Sequence, residues 1–301
     1  MDHTHKRMKV LLVGGCGYIG TYLYQQLVKD GNEVVVCDRL DKGNPLGVEV
    51  LQVNYIDLDA DFLRQFDAIL WFAGHSSVGV SVGDPAGAIA NNCLDLYTFA
   101  QRIAPHTKFI YASSASLYSS MAAEIVPSNE SSLVTVPSQN PYDISKFAFD
   151  YLAEHFLGNF YGLRMGTLAG WSPNLRSELI FNAMNLNARQ TGIVRVRNRD
   201  ACRTILFLDD LWGLVRALLR QSAPPGFYNA GSLSFRIGEL GERIAALWGA
   251  ELVDEGSSPT YSFLLDTGKM AALGLAPRPP ASFEQMCRHF IDTCETASSI
   301  P

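Results

Sequence analysis

A tyrosine and a lysine stand four residues apart in the stretch PYDISKFAFDYL, at Tyr142 and Lys146. On a helix that spacing puts both on one face. A phenol that ionises near pH ~10 is a poor base at neutral pH, but an adjacent ammonium favours the phenolate. The pair could therefore serve as a general acid/base; taken alone, the same spacing also fits an ordinary surface helix. Upstream, KFIYASSASLY sets Ser113 and Ser114 just beyond an apolar run. A serine hydroxyl at such a strand end either binds a substrate oxygen or caps a loop.

A second cluster could hold a nucleotide. In GGCGYIG, residues 14–20, Gly14, Gly17 and Gly20 follow an apolar run, and Tyr18 and Ile19 lead into a helical stretch. A tight turn there lets backbone N–H groups approach a pyrophosphate at a helix N-terminus. Asp38 ends EVVVCD, where a carboxylate accepts hydrogen bonds from both ribose hydroxyls of an adenosine. A 2′-phosphate would meet a like charge, which favours NAD over NADP. Arg39 beside it either offsets that repulsion or is a solvated loop charge. Asp57, in NYIDLD, is placed to reach an adenine amino group or to cap the next helix. Phe72, Ala73 and Gly74 close ILWFAG with small residues where a strand would pass a cofactor.

The elements that must carry these residues alternate. Strand signals at 10–13, 33–37, 48–53, 68–72 and 108–112 are separated by helical stretches, chiefly 21–29 and 85–103. Such alternation predicts an α/β fold with a doubly wound parallel sheet. Later segments predict a strand over 160–164, a helix over 175–189, a short strand over 204–208 and a helix over 209–221. Residues 1–170 are expected to form the nucleotide-binding domain and 171–301 a smaller substrate-binding cap, with 204–221 packing back on the first.

Composition narrows the class. The 301 residues are 48% hydrophobic and 18% charged with a net charge of −6, so no electrostatic footprint for nucleic acid is present. No apolar run reaches the ~18 residues needed to span a bilayer, and a cytoplasmic location is expected. Six scattered cysteines without CxxC spacing argue against a zinc site or a disulfide framework. His3 and His5 have no third ligand nearby, so a metal is not expected.

Together GGCGYIG, Asp38, FAG, SSASLY, YDISK and RTILFLDDL resemble the extended short-chain dehydrogenase/reductase family, which includes nucleotide-sugar epimerases and dehydratases. The resemblance runs from about Lys9 to about Leu275. It implies a Rossmann-type sheet binding NAD, with Tyr142 as the catalytic tyrosine and Lys146 binding the nicotinamide ribose. It further implies Ser114 as the catalytic Ser/Thr, Asn91 or Asn92 near the cofactor, and Arg203 against a substrate diphosphate. Paired with Asp209 or Asp210, Arg203 would instead be structural. Asn182 and Asn185 either touch the sugar or are solvated helix residues.

Dehydratases of the family carry Asp-Glu after the catalytic Ser/Thr, where this chain has Ala115 and Ser116. The resemblance thus implies an epimerase acting through transient C4 oxidation of a nucleotide sugar. The alternatives are a nucleotide-sugar ketoreductase or dehydrogenase and, less favoured, a non-catalytic NAD-binding sensor. Met165, Gly166 and Thr167 depart from the family's RYFNVYGP, Ser119 replaces its usual VYG glycine, and the segment from Trp171 to Arg203 is short. An altered sugar pocket is expected. The family also implies a homodimer through the helices around 85–103 and 142–156, with Ile89, Leu96, Phe99, Phe147, Tyr151 and Leu152 as candidate contacts.

Overall fold

Three of the predicted strands have almost no exposed residue. β1 (Lys9–Val13), β3 (Ala68–Trp71) and β4 (Lys108–Ser114) are buried nearly throughout, as strands covered on both faces must be. The computed structural model describes residues 7–76, 78–119, 126–132 and 140–298; His3 and His5 lie outside them. Between these strands come β2 (Glu33–Cys37) and, later, β5 (Phe160–Met165), β6 (Thr167–Ala169), β7 (Ile193–Val196), β8 (Cys202–Phe207), β9 (Gly226–Ala230), β10 (Leu233–Arg236) and β11 (Glu251–Asp254).

Six strands form an all-parallel sheet in the order β2-β1-β3-β4-β5-β9. The chain goes outward from β1 to β2 and then crosses back to β3, so strand order reverses beside β1. Open α/β sheets bind ligands at the carboxyl ends of strands around such a reversal. Val13 and Trp71 are register partners there, and Ser114 closes β4 opposite Met165.

Residues 48–53 do not form the expected strand; only a parallel bridge, Cys37 to Leu51, survives. No residue of that run is buried: Glu49 and Gln52 are exposed and the other four half-buried. It therefore has too little apolar cover to extend the sheet. β9 was not anticipated: Gly226–Ala230 follows a proline pair, yet four of its five residues are buried beside β5.

One face of the sheet packs on the helices Tyr18–Lys29 and Leu208–Arg220, through Leu23, Leu27, Leu211, Leu214 and Leu218. The other packs on Pro141–Phe156 and on a bent helical run whose middle, Ala90–Leu94, is a π turn. A separate core around Phe181, Phe207, Phe235 and Phe283 joins β10-β8-β6 to three further helices. The expected division at residue 170 is thus crossed twice. Of the 204–221 segment, 208–220 return as a helix under the sheet while β8 joins the three-stranded sheet, and 226–230 return as a strand of the large one. Among the described residues, no helix is long and apolar enough to cross a membrane.

A buried polar network fixes the Pro141–Phe156 helix to the sheet. Asp150, 2% exposed, accepts from Tyr111 Oη at 2.8 Å, Ser113 Oγ at 2.9 Å and Arg164 Nε at 3.0 Å. Arg164 donates onward to Tyr118 Oη at 2.8 Å, which donates to Asn229 Oδ1 at 2.9 Å. Removing one partner of a buried pair strands the other charge, at about 3–5 kcal/mol. Arg164→Met is therefore expected to lose about that much in urea unfolding, and Asp150→Asn/Arg164→Met to lose less than the single variant. A single-variant loss below about 1 kcal/mol would mean that the network does not hold the helix.

Candidate active site

The glycine turn is shaped by contacts that a side chain would obstruct. Gly14 has φ +80°, and a Cβ there would lie 2.6 Å from the Ala73 amide nitrogen. β1 and the end of β3 touch through this residue. A Cβ on Gly20 would fall 2.1 Å from the Gly14 carbonyl oxygen, so the helix rests directly on the turn. Gly17 N-caps that helix without any side-chain bond. The amides of Tyr18, Ile19 and Gly20 in its first turn have no intrahelical acceptor, which leaves a cradle of donors for an anion.

Asp38 ties this cradle to β2. Its Oδ2 accepts the Cys16 amide at 3.0 Å and its Oδ1 the Leu40 amide at 2.8 Å, which leaves further lone pairs on each oxygen for ribose hydroxyls. Arg39 lines the same cavity but is ion-paired with Asp41. Beyond Asp38 the walls are Asn54 and Tyr55. Asp57 is exposed and outside the cavity; it ends the 3-10 turn that Asn54 caps, and Asp59 caps the following helix.

The cavity, about 500 Å³, runs from this turn to the reactive residues and is lined by Phe72, Ala73, Gly74, Asn91, Ser114, Tyr142 and Lys146, among others. Tyr142 occupies the first turn of its helix, which starts where Asn140 Oδ1 caps the Asp143 amide at 2.9 Å and Pro141 presets the backbone. Burial pushes the Tyr142 phenol above its ordinary range; its hydrogen bond with Ser114 and the charge of Arg176 pull it down, while Asp143 adds to the rise.

Lys146 is 5% exposed. It donates to the Ala112 carbonyl at 2.8 Å, and its Nζ lies 5.0 Å from the Trp71 ring centre and 5.9 Å from that of Tyr142. Burial pulls this ammonium down to about 8, against a rise from Asp150.

Asn91 donates to the Ala73 carbonyl at 3.1 Å and lines the cavity. Asn92 is wholly buried and staples the backbone of His75, accepting its amide at 2.8 Å and donating to its carbonyl at 3.2 Å. Both asparagines sit in the π turn, whose extra residue turns two consecutive side chains toward the strand end.

Arg203 faces the cavity from β8. It donates to the Cys202 carbonyl at 3.0 Å and to Thr260 Oγ1 at 2.8 Å, and burial pulls it down to about 10. Asp209 and Asp210, its expected structural partners, face Arg278 instead. Among the described residues, no carboxylate forms a salt bridge with Arg203. Asn182 is neither a sugar contact nor solvated: wholly buried, it accepts the Gly170 amide at 3.0 Å and donates to the Arg176 carbonyl at 3.0 Å. Asn185 is likewise buried, accepting from Trp248 Nε1. Arg176, Tyr261 and Phe263 join the wall from loops with no periodic signal in the sequence.

A glycine cradle at the strand reversal, a ribose carboxylate and a Ser/Tyr/Lys set on one cavity define a dinucleotide-dependent enzyme of the extended short-chain dehydrogenase/reductase type. These residues fit NAD. The model of the NAD dependent epimerase/dehydratase family matches residues 10–231, and the chain belongs to that family. It is 28% identical to UDP-glucose 4-epimerase of Halalkalibacterium halodurans over 94% of each chain. With UDP-glucose 4-epimerase of Streptomyces lividans it shares 38% identity over 50% of this chain and 49% of that one. Among solved structures, UDP-glucose 4-epimerase of Thermotoga maritima with UDP-glucose has a TM-score of 0.79 at 19% identity, covering 97% of this chain and 100% of the other. An NAD-dependent NDP-hexosamine 5,6-dehydratase involved in tunicamycin biosynthesis reaches 0.82 at 21% identity, over 96% and 98%. These structural likenesses establish the shared fold.

The Lys146 ammonium ionises at about 8 in the folded chain against an ordinary 10.5. Between those values the unfolded chain holds a proton that the folded chain has released, so unfolding free energy rises with pH across the window. The stability of the cofactor-free protein relative to Lys146→Met is expected to increase from below pH 8 to pH 10, measured by urea denaturation at each pH. A difference that does not move with pH would show that the ammonium is not desolvated by folding.

Proposed function

We propose that the protein is a nucleotide-sugar epimerase acting by transient oxidation at C4 of the sugar. The observation that supports this most is that one cavity is lined both by the Ser114–Tyr142–Lys146 set and by Arg203, a buried guanidinium whose hydrogen bonds among the described residues go to neutral groups. A fixed fork of donors without a carboxylate partner suits a diphosphate. At the reacting carbon, Tyr142 takes the C4 hydroxyl proton onto its phenol oxygen and later returns it. Ser114 hydrogen-bonds the same sugar oxygen, and Lys146 favours the phenolate from below. NAD, when bound, supplies the acceptor for the hydride leaving C4 and gives it back to either face.

Ala115 and Ser116 support epimerisation over dehydration. Both are buried, and neither side chain is the carboxyl acid or base that removal of water requires. Incubation with UDP-glucose, UDP-galactose and dTDP-glucose, without added nicotinamide, should give C4 epimers resolved by NMR with no change in nicotinamide absorbance. Tyr142→Phe should lower the rate about 10²–10⁴-fold. A stoichiometric absorbance change would instead identify a reductase or dehydrogenase. Full activity of Tyr142→Phe would remove the acid/base assignment.

We also propose that the chain forms a homodimer through two neighbouring helical runs. Leu94, Tyr151 and Phe156 are 59%, 54% and 66% exposed, and Tyr97 and Phe156 bring the two runs together with ring centres 6.2 Å apart. Leu96 and Phe99, candidates on sequence grounds, are instead core residues at 1% and 0% exposure. Light scattering after gel filtration should give twice the chain mass, and Tyr151→Asp/Phe156→Glu should give the single mass with an unchanged circular dichroism spectrum. A monomeric wild-type protein would overturn the assignment.

A further inference from the structure

The hydroxyl of Ser114 is claimed from two sides. Its Oγ lies 2.7 Å from Ser116 Oγ, and Ser116 Oγ lies 2.5 Å from Asp143 Oδ1. The other Asp143 oxygen accepts from Asn140 Nδ2 at 2.9 Å, and Asn140 also reaches Tyr261 Oη. All three members of the chain are buried: Ser114 is 8% exposed, Ser116 6% and Asp143 1%. Among the described residues no lysine or arginine forms a salt bridge with Asp143, so its acceptors are filled by neutral donors alone.

An ionised carboxylate only accepts. Ser116 must therefore be the donor to Asp143, and a hydroxyl has one proton to give. Ser114 Oγ also accepts the Ser116 amide at 3.2 Å; the Ser116 hydroxyl can then only accept from Ser114, which turns the Ser114 proton away from Tyr142. Reciprocal capping of the helix start explains the Asn140–Asp143 contacts. It does not require a hydroxyl at position 116.

We infer that Asp143 and Ser116 are positioning residues that orient the Ser114 hydroxyl, holding its proton away from Tyr142 while the phenol is neutral. The inference rests on Tyr142 acting as the acid/base. As Tyr142 ionises, Ser114 must turn to donate to the phenolate and give up its bond to Ser116. The competition makes the phenolate harder to form. The charged groups facing Tyr142 are Lys146 on its own helix, Asp143 beside it and Arg176 from the loop opposite. None of them is altered by a change at position 116.

Ser116→Ala tests this without removing a charge. In ring-labelled tyrosine NMR of the NAD-saturated protein, with Tyr142 assigned from Tyr142→Phe, Ser116→Ala should raise the ionisation constant of Tyr142 about three- to tenfold, one hydrogen bond's worth. Asp143→Asn should shift it in the same direction, and Ser116→Ala/Asp143→Asn should shift it by less than the sum. An unchanged titration in folded Ser116→Ala, or full additivity in the double variant, would overturn the inference and leave Asp143 a helix cap. The titration requires no sugar. A shifted titration with every sugar nucleotide inert would retain the inference and count against the proposed substrate, whereas turnover with an unshifted titration would do the reverse.

Discussion

Asp150 accepts hydrogen bonds from β4 and β5 while sitting one helical turn beyond Lys146, and the geometry of the reactive groups depends on that attachment. A helix held only by apolar packing can slide or roll by an ångström at little cost. One held by a buried carboxylate with three donors cannot, because any displacement leaves a charge without partners in a medium of low dielectric. The helix that carries Tyr142 and Lys146 is therefore registered against the strand that carries Ser114. Arg164 and Tyr118 extend this registration to β9, so the chain segments on either side of the cap converge on one fixed reference.

The same economy of contacts governs the nucleotide end. Gly14 lets the backbone of the turn touch that of Ala73, and Asp38 holds the turn to β2 through two amides. The cradle is thus braced by the chain's own contacts, and bracing of this kind lowers the ordering cost of binding. Positive charge is distributed differently. Lys146 is poised by desolvation, Arg176 is partly neutralised by Glu178 at 2.6 Å, and Arg203 has only neutral partners among the described residues. Of these three, the cation without a carboxylate partner is the one that β8 supplies.

What was legible in the sequence follows from how local each signal is. GGCGYIG and YDISK encode their geometry within one turn of helix, and both Ser114 and Asp38 end strands whose apolar runs are unmistakable. Asp57 and Asn182 lie off the cavity wall, and residue type alone says nothing about direction: one is exposed, the other is spent on backbone groups of a neighbouring loop. Residues 48–53 have β-branched content without burial, and Gly226–Ala230 has burial that comes only from its neighbours. Leu96 and Phe99 carry the same apolar label as Tyr151 and Phe156, but pack inward. Asp143 stood in plain view beside Tyr142. Its contact with Ser116 joins residues 27 apart in the chain, and no periodicity reveals such a pairing.

Trp71 carries a consequence of its own. Its indole is fully buried under the Lys146 ammonium, and the indole N–H has no hydrogen-bond partner among the described residues. Indole emission responds to a nearby charge, and here that charge changes when the lysine titrates. Gly74 keeps this arrangement open, since a Cβ there would crowd the indole edge at 2.9 Å and the ammonium at 3.1 Å. The chain thus has an internal fluorophore set against this ammonium, a native optical gauge of its charge that needs no introduced label.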